Sequence, residues 1–159
     1  MLFRSVLNTN LRGAFQCMQA FQRAMLKQRA GRIINISSVI GLIGNAGQAN
    51  YAAGKAGIVG VTKAMAREWG RYKVNVNAVG FGYIVTRMTQ AVEGGSARLD
   101  VGGRQLPAGI PKQDVQRLEA TIPLGRGGTP EEAAGAVFLL CCPEADYITG
   151  QVLMVTGGM

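Results

Sequence analysis

The run Arg32-Ile33-Ile34-Asn35-Ile36-Ser37 constrains the fold more than any other stretch of this chain. It is short, β-branched and mostly apolar, the pattern of a parallel strand covered on both faces. Helical periodicity flanks it on both sides. Before it, Leu7, Leu11, Ala14, Phe15, Met18, Phe21, Met25 and Leu26 recur at three- and four-residue steps. They predict an amphipathic helix from about Ser5 to Arg29, closed by Ala30-Gly31. After it, a loop rich in Gly and Asn runs to about Gly47, and helical spacing resumes from Ala49 to about Tyr72. A strand set between two long helices cannot fold back as a hairpin. It belongs to a sheet whose neighbouring strands are reached by helical crossovers.

The rest of the chain extends that scheme. Lys73 to Val79 reads as a second strand and Gln151 to Val155 as a third. Residues 91 to 118, with repeated Gly and polar residues, read as a mobile excursion, with a short helix near Lys112 to Ala120. Thr129-Pro130-Glu131-Glu132 is a strong helix start that predicts a helix to about Leu140: a Thr cap, Pro at the first position and acids at the positive end of the dipole. The order is α-β-α-β-(excursion)-α-β. The fold class is α/β, one half of a doubly wound, Rossmann-like parallel sheet with three recognisable strands. The 159 residues suffice for a single such partial domain. Within it, residues 90–119 form either a substrate lid or a disordered insertion.

Composition narrows the function. Nearly half the residues are hydrophobic and 16% are charged, which excludes a disordered chain. The net charge of +8 suits anionic partners. The cations are scattered, however, and no aromatics interleave with them, so nucleic acid is not an expected partner. Cys17, Cys141 and Cys142 form no disulfide or metal pattern, and there is no His to complete a zinc site. Such cysteines fit a reducing, cytoplasmic setting. No stretch is apolar enough to span a bilayer, so no membrane association is expected.

The residues that carry chemistry lie between Ser38 and Lys55. Tyr51 and Lys55 are four apart at a helix start and project from one face. An ammonium beside a phenol favours the phenolate and suits the tyrosine to exchange a proton with a carbonyl or alcohol. Ser38 ends the first strand, on the edge where open α/β sheets place their ligands. Its hydroxyl is expected to bond the same substrate oxygen. Ser37 reads as a strand residue whose hydroxyl is satisfied locally.

In their setting these residues resemble the short-chain dehydrogenase/reductase family, and especially its branch that reduces 3-oxoacyl thioesters. Asn35-Ile36-Ser37-Ser38 resembles the family's serine-bearing strand end. Asn50-Tyr51-Ala52-Ala53-Gly54-Lys55-Ala56-Gly57 matches its Tyr-x-x-x-Lys motif, and Thr9-Asn10-Leu11-x-Gly13-x-Phe15 resembles its asparagine-bearing helix. Val74-Asn75-Val76-Asn77-Ala78-Val79 resembles the next strand. Tyr147-Ile148-Thr149-Gly150-Gln151 with Thr156-Gly157-Gly158 resembles the C-terminal one.

The resemblance implies that Tyr51 protonates a carbonyl as hydride arrives, and that Lys55 tunes Tyr51 and holds the nicotinamide ribose. It implies that Ser38 orients the carbonyl and that Asn10 holds a water of a proton relay. A plainer reading of Asn10 is a capping or turn residue. The cofactor implied is NADP or NAD, with NADP favoured. Gly82, Ile84 and Thr86 fall where the family lines the nicotinamide, but Phe81 stands where it has Pro. Without that proline the loop is expected to be less rigid or differently shaped.

The family's Gly-rich phosphate turn belongs to an N-terminal βαβ half that these residues do not contain. Gly41, Gly44 and Gly47 follow the serine strand, whereas a phosphate turn joins a first strand to the helix that receives the pyrophosphate. Met1 opens inside a helical pattern, as in a truncated reading frame or a fragment. Two functions stay open. One is a reductase of a small or carrier-bound carbonyl substrate, impaired as an isolated chain. The other is a non-catalytic remnant that associates with itself through the helices bearing Asn10 and Tyr51, whose small residues (Ala49, Ala52, Ala53, Ala56, Gly60, Ala64) suit close packing.

Overall fold

The computed structural model describes residues 2–93, 97–101 and 103–159. They form two compact units. The first comprises Met1–Phe81 with Gly135–Met154, and the second Gly82–Ala134 with Val155–Met159.

The first unit holds a three-stranded sheet. Its strands are β1 (Gly31–Ser38), β2 (Val74–Phe81) and β7 (Val152–Val155), in the order β1-β2-β7. β1 and β2 are parallel, in register from Gly31 opposite Val74 to Ser38 opposite Phe81. Beside β2, the Gly150 N–H reaches the Val76 carbonyl, and two residues on the Ala78 N–H reaches the Gln151 carbonyl. Both partners advance together, so this pairing is parallel too. β2 lies in the middle, and Val74, Val76 and Val79 are fully covered. Its two asparagines point to one face, two residues apart. Asn75 Nδ2 donates to the carbonyls of Ala145, Asp146 and Ile148. Asn77 donates to the Ile148 carbonyl and accepts the Gln151 N–H. They supply the backbone partners that the loop before β7 would otherwise lack.

Ahead of β1, α1 (Leu2–Leu7) runs into a π-helical turn (Asn8–Arg12) and then α2 (Gly13–Gln28), which ends at Arg29 in the left-handed conformation. The predicted single helix is therefore one continuous path with a widened turn in it. Between β1 and β2 lie the short α3 (Ile40–Ile43) and the 21-residue α4 (Ala49–Trp69). The predicted loop after β1 contains α3. On α4 the buried positions are Gly54, Ile58, Thr62, Ala66 and Trp69, one stripe at helical spacing. That stripe meets the sheet: Met18, Ala66, Trp69, Val74 and Val76 form the core, flanked by Phe15, Met25, Leu26, Ile33, Val61, Met65 and Tyr72. Trp69 supplies the largest apolar surface of this group.

The second unit contains β3 (Ala91–Val92) paired parallel with β6 (Ile110–Pro111), and an antiparallel pair of β4 (Ala97–Val101) and β5 (Arg104–Ala108). Much of the expected mobile excursion is thus regular β-structure. α5 (Lys112–Ala120) follows within the predicted limits. α6 (Pro130–Leu139) begins in this unit with a reciprocal cap. The Glu132 N–H bonds Thr129 Oγ1 at 3.1 Å, and the Thr129 N–H bonds Glu132 Oε2 at 2.8 Å. Gly157 and Gly158 both have positive φ, and a Cβ on them would lie 2.7 Å from Ile122 and 2.9 Å from Pro123. Only glycine meets both demands.

Among the described residues no helix is long and apolar enough to cross a membrane. No group of three or more His, Cys, Asp and Glu among them is placed to hold a metal ion.

Candidate active site

Ser38 ends β1 and is buried. Its Oγ accepts the N–H of Ile40, two residues on, at 3.2 Å, which turns the chain into α3. The hydroxyl proton has no acceptor among the described residues and is available to a ligand. Opposite Ser38 stands Phe81, whose carbonyl accepts the Val39 N–H at 2.9 Å. Where the resemblance predicts a loosened loop, β2 continues through Phe81 and pairs with the serine.

Tyr51 and Lys55 lie in the first two turns of α4, and the Lys55 Nζ stands 5.6 Å from the centre of the Tyr51 ring. This is within cation–π range. The ammonium donates to the Ile36 carbonyl at 3.0 Å. Half-burial pulls its pKa below the ordinary lysine value of 10.5. One of its three N–H donors is used this way, and the other two have no protein acceptor among the described residues.

Ser37, by contrast, donates its hydroxyl to the Lys55 backbone carbonyl at 2.9 Å. The hydroxyl is satisfied, as expected, but by a residue 18 positions along the chain. Two residues earlier, Asn35 Nδ2 bonds Thr62 Oγ1 at 2.9 Å, and Thr62 in turn bonds the Ile58 carbonyl. Three consecutive residues of β1 therefore fix α4 against the strand. Gly41 completes the joint, since a Cβ there would lie 2.7 Å from the Lys55 carbonyl carbon. Sequence reading missed the roles of Asn35, Ser37 and Gly41. The available signal was a polar pair, Asn35 and Ser37, in a mostly apolar strand, with a glycine three residues beyond its end.

Asn10 sits in the π-helical turn, a feature common at functional sites. Its Nδ2 bonds the Val6 carbonyl at 3.2 Å, so it is not a helix cap. A Cβ on Gly54 would lie 3.4 Å from the Asn10 Cβ, which places Asn10 over the turn that carries Lys55. Ser38, Tyr51, Lys55 and Asn10 all belong to the first unit.

Gly82, Ile84 and Thr86 belong to the second. Gly82 donates its N–H to the Val155 carbonyl at 2.9 Å. Ile84 bridges to Gly128. The Thr86 hydroxyl is 3.0 Å from that of Thr89 and accepts the Met88 N–H, so it shapes its own turn.

The arrangement of a buried serine hydroxyl, an exchangeable phenol and a half-buried ammonium suits proton transfer to an oxygen. The chain also has relatives among known proteins. Residues 105–159 match the family model described as enoyl-(acyl carrier protein) reductase. The chain is 45% identical to the 3-oxoacyl-acyl-carrier-protein reductase FabG of Vibrio harveyi, over 99% of this chain and 57% of that protein. It is likewise 45% identical to the FabG of Aquifex aeolicus, over 99% of this chain and 56% of that protein. To the FabG of Thermotoga maritima it is 41% identical, over 98% and 56%. The chain thus spans a little over half the length of these relatives. The model described as short chain dehydrogenase matches residues 1–96, which include Asn10, Ser38, Tyr51 and Lys55, and the chain belongs to that family.

Proposed function

We propose that Ser38, Tyr51 and Lys55 form the carbonyl-reducing centre of a nicotinamide-dependent reductase acting on a 3-oxoacyl thioester or a related ketone in the cytoplasm. The observation that carries this reading is the Lys55 ammonium. It is held by the Ile36 carbonyl beside the Tyr51 ring and keeps two donors for the hydroxyls of a nicotinamide ribose. A bound NADPH or NADH supplies the hydride. Ser38 donates a hydrogen bond from its hydroxyl to the substrate carbonyl, which orients and polarises it while the proton stays on the serine. Tyr51 gives its phenolic proton to the same oxygen as the alcohol forms, and the Lys55 ammonium stabilises the phenolate left behind. Asn10, over the Lys55 turn, serves the relay that returns the proton. Gly82, Ile84 and Thr86 line the nicotinamide, and residues 90–119 form the lid over the substrate.

The Gly-rich loop of these residues, Gly41 to Gly47, follows the serine strand on the substrate side and does not supply the turn that would seat the pyrophosphate. The chain alone therefore binds cofactor poorly and turns over little. The test joins it to the N-terminal portion of the Vibrio harveyi relative and follows NADPH and NADH oxidation with an acetoacetyl thioester. Reduction by the joined protein and not by the 159-residue chain supports the proposal. No reduction by a folded joined protein refutes it.

One observation favours self-association alongside this chemistry. Ala49, Ala53, Ala56, Gly60 and Ala64 lie exposed along α4, and Phe21 is exposed on α2. A second copy of the chain packing on these helices would cover them, and this is also how a non-catalytic remnant would act. Light scattering on the purified chain decides it, because a monomer at all concentrations removes the association reading.

A further inference from the structure

We propose that Ser37 is a positioning residue for this centre: its hydroxyl, on the Lys55 backbone carbonyl, holds the Lys55 ammonium on the Ile36 carbonyl. This rests on the functional reading above for its relevance to catalysis, but its geometry stands alone. Ser37 is 3% exposed. Its bond to the Lys55 carbonyl (2.9 Å) and the Lys55 Nζ bond to the Ile36 carbonyl (3.0 Å) join Lys55 to two adjacent strand residues in opposite directions. Together they close a ring made of the Ile36–Ser37 backbone and the whole Lys55 residue. A lysine has four rotatable side-chain bonds, and on a solvated helix face its ammonium samples many positions. Inside this ring both ends of the residue are fixed.

The hydroxyl is not needed to satisfy Lys55, whose carbonyl lies within α4 and is a helix acceptor already. Its effect is on placement of the strand end relative to α4. Asn35 on Thr62 still ties the strand to α4 without it, but the tether at Lys55 itself is lost and the ammonium is freer to swing outward into water. Half-burial is the first cause of the lowered Lys55 pKa, so outward motion relieves it. The elements around this turn bring no carboxylate: β1 carries Arg32 at its far end, the π-helical turn carries Arg12, and α3 has no ionisable group. Tyr51 on the same helix is the ionisable neighbour.

The experiment is lysine-selective NMR on the isotopically labelled 159-residue chain, following the Lys55 Cε and ammonium signals against pH. In the parent, Lys55 is expected to titrate below 10.5, with ammonium protons protected enough to be observed. Ser37→Ala is expected to move the midpoint up towards 10.5 and to lose the ammonium signal to exchange, while Ser37→Thr retains both. Val76→Ala, which opens a cavity in the core, is expected to lower the melting temperature without moving Lys55. An unchanged Lys55 titration in folded Ser37→Ala overturns the proposal. So does an equal shift in Val76→Ala. If Ser37→Ala does not fold by circular dichroism, Ser37→Cys, with its weaker donor, decides by the same criterion. None of these readouts needs turnover, so an inactive joined protein would sink the proposed reaction and leave the role of Ser37 standing.

Discussion

Replacing Gly41 by alanine tests whether α3 is clamped on the Lys55 turn. A Cβ at this position would lie 2.7 Å from the Lys55 carbonyl carbon, 2.8 Å from the Ala56 nitrogen and 2.9 Å from the Lys55 Cβ. Carbon atoms rest at about 3.5–4.0 Å, so the segment must withdraw by nearly an ångström. The obstructing atoms are helix backbone and cannot rotate away. Overpacking of this kind costs about 1–3 kcal/mol. Two other glycines calibrate the result. At Gly57 the new methyl meets the Leu11 Cδ2 at 2.7 Å, the end of a side chain that can turn aside. At Gly135, inside α6, it meets nothing within 4 Å, and removing a helix glycine there gains about 0.5–1 kcal/mol.

The three alanine variants should therefore unfold in the order Gly41 first, then Gly57, then the parent, with Gly135 last. The two extremes differ by about 2–4 kcal/mol. In urea, with a slope of about 1–3 kcal/mol per molar, their midpoints separate by about 0.7 M or more. A Gly41→Ala chain as stable as Gly135→Ala would refute the close approach of α3 to α4. The joint next to Ser38 would then be looser than described.

Two other changes separate chemistry from structure. Tyr51→Phe in the joined protein should lower kcat/KM by about 10²–10⁴. It should leave the melting curve nearly unchanged, because the phenolic oxygen has no protein partner among the described residues; retained activity would remove Tyr51 from the reaction. At the start of α6, the paired Arg126 guanidinium, and then the Thr129 N–H, hold the Glu132 carboxyl down at about 2, against 4.5 when unperturbed. Its contribution is therefore complete above pH 4.5 and drains away as the pH falls from there towards 2. In an acid titration Glu132→Gln should lack this part of the slope, and a variant that keeps it would show that the pair is not the source.

The elements read most accurately from sequence were those whose determinants are local. α5 falls within its predicted limits and α6 starts at its Thr-Pro-Glu-Glu signal, because a capping box needs only four consecutive residues. β1 and β2 were legible because a covered parallel strand is apolar throughout. The antiparallel pair β4 and β5 was read as an excursion, although Gly102-Gly103 between its strands is a hairpin signal. The flanking residues mix Arg, Asp, Gln and Pro with few β-branched side chains, so propensity argued against strands. The π-helical turn leaves no mark in apolar spacing, since one widened turn shifts the periodicity by only a single residue.

The candidate site divides along the same line. Tyr51 and Lys55 share a helix face, so their proximity follows from a spacing of four. Ser37 and Ser38 are neighbours of the same type, and in the sequence only the place of Ser38 at the strand end tells them apart. They differ because a strand sends alternate side chains to opposite faces. Ser37 meets the Lys55 carbonyl, whereas Ser38, at the strand end, bonds its own chain two residues on and keeps its proton for a ligand. That distinction depends on how far β1 slides along α4, which Asn35 on Thr62, Gly41 on Ala56 and the Ile36 carbonyl on Lys55 set together. A slip of one residue would exchange the two serines and aim the wrong hydroxyl at the helix. Which of the two serines keeps a free hydroxyl proton is thus a property of strand-to-helix register, enforced by three contacts of which none is visible in the spacing of the residues that make it.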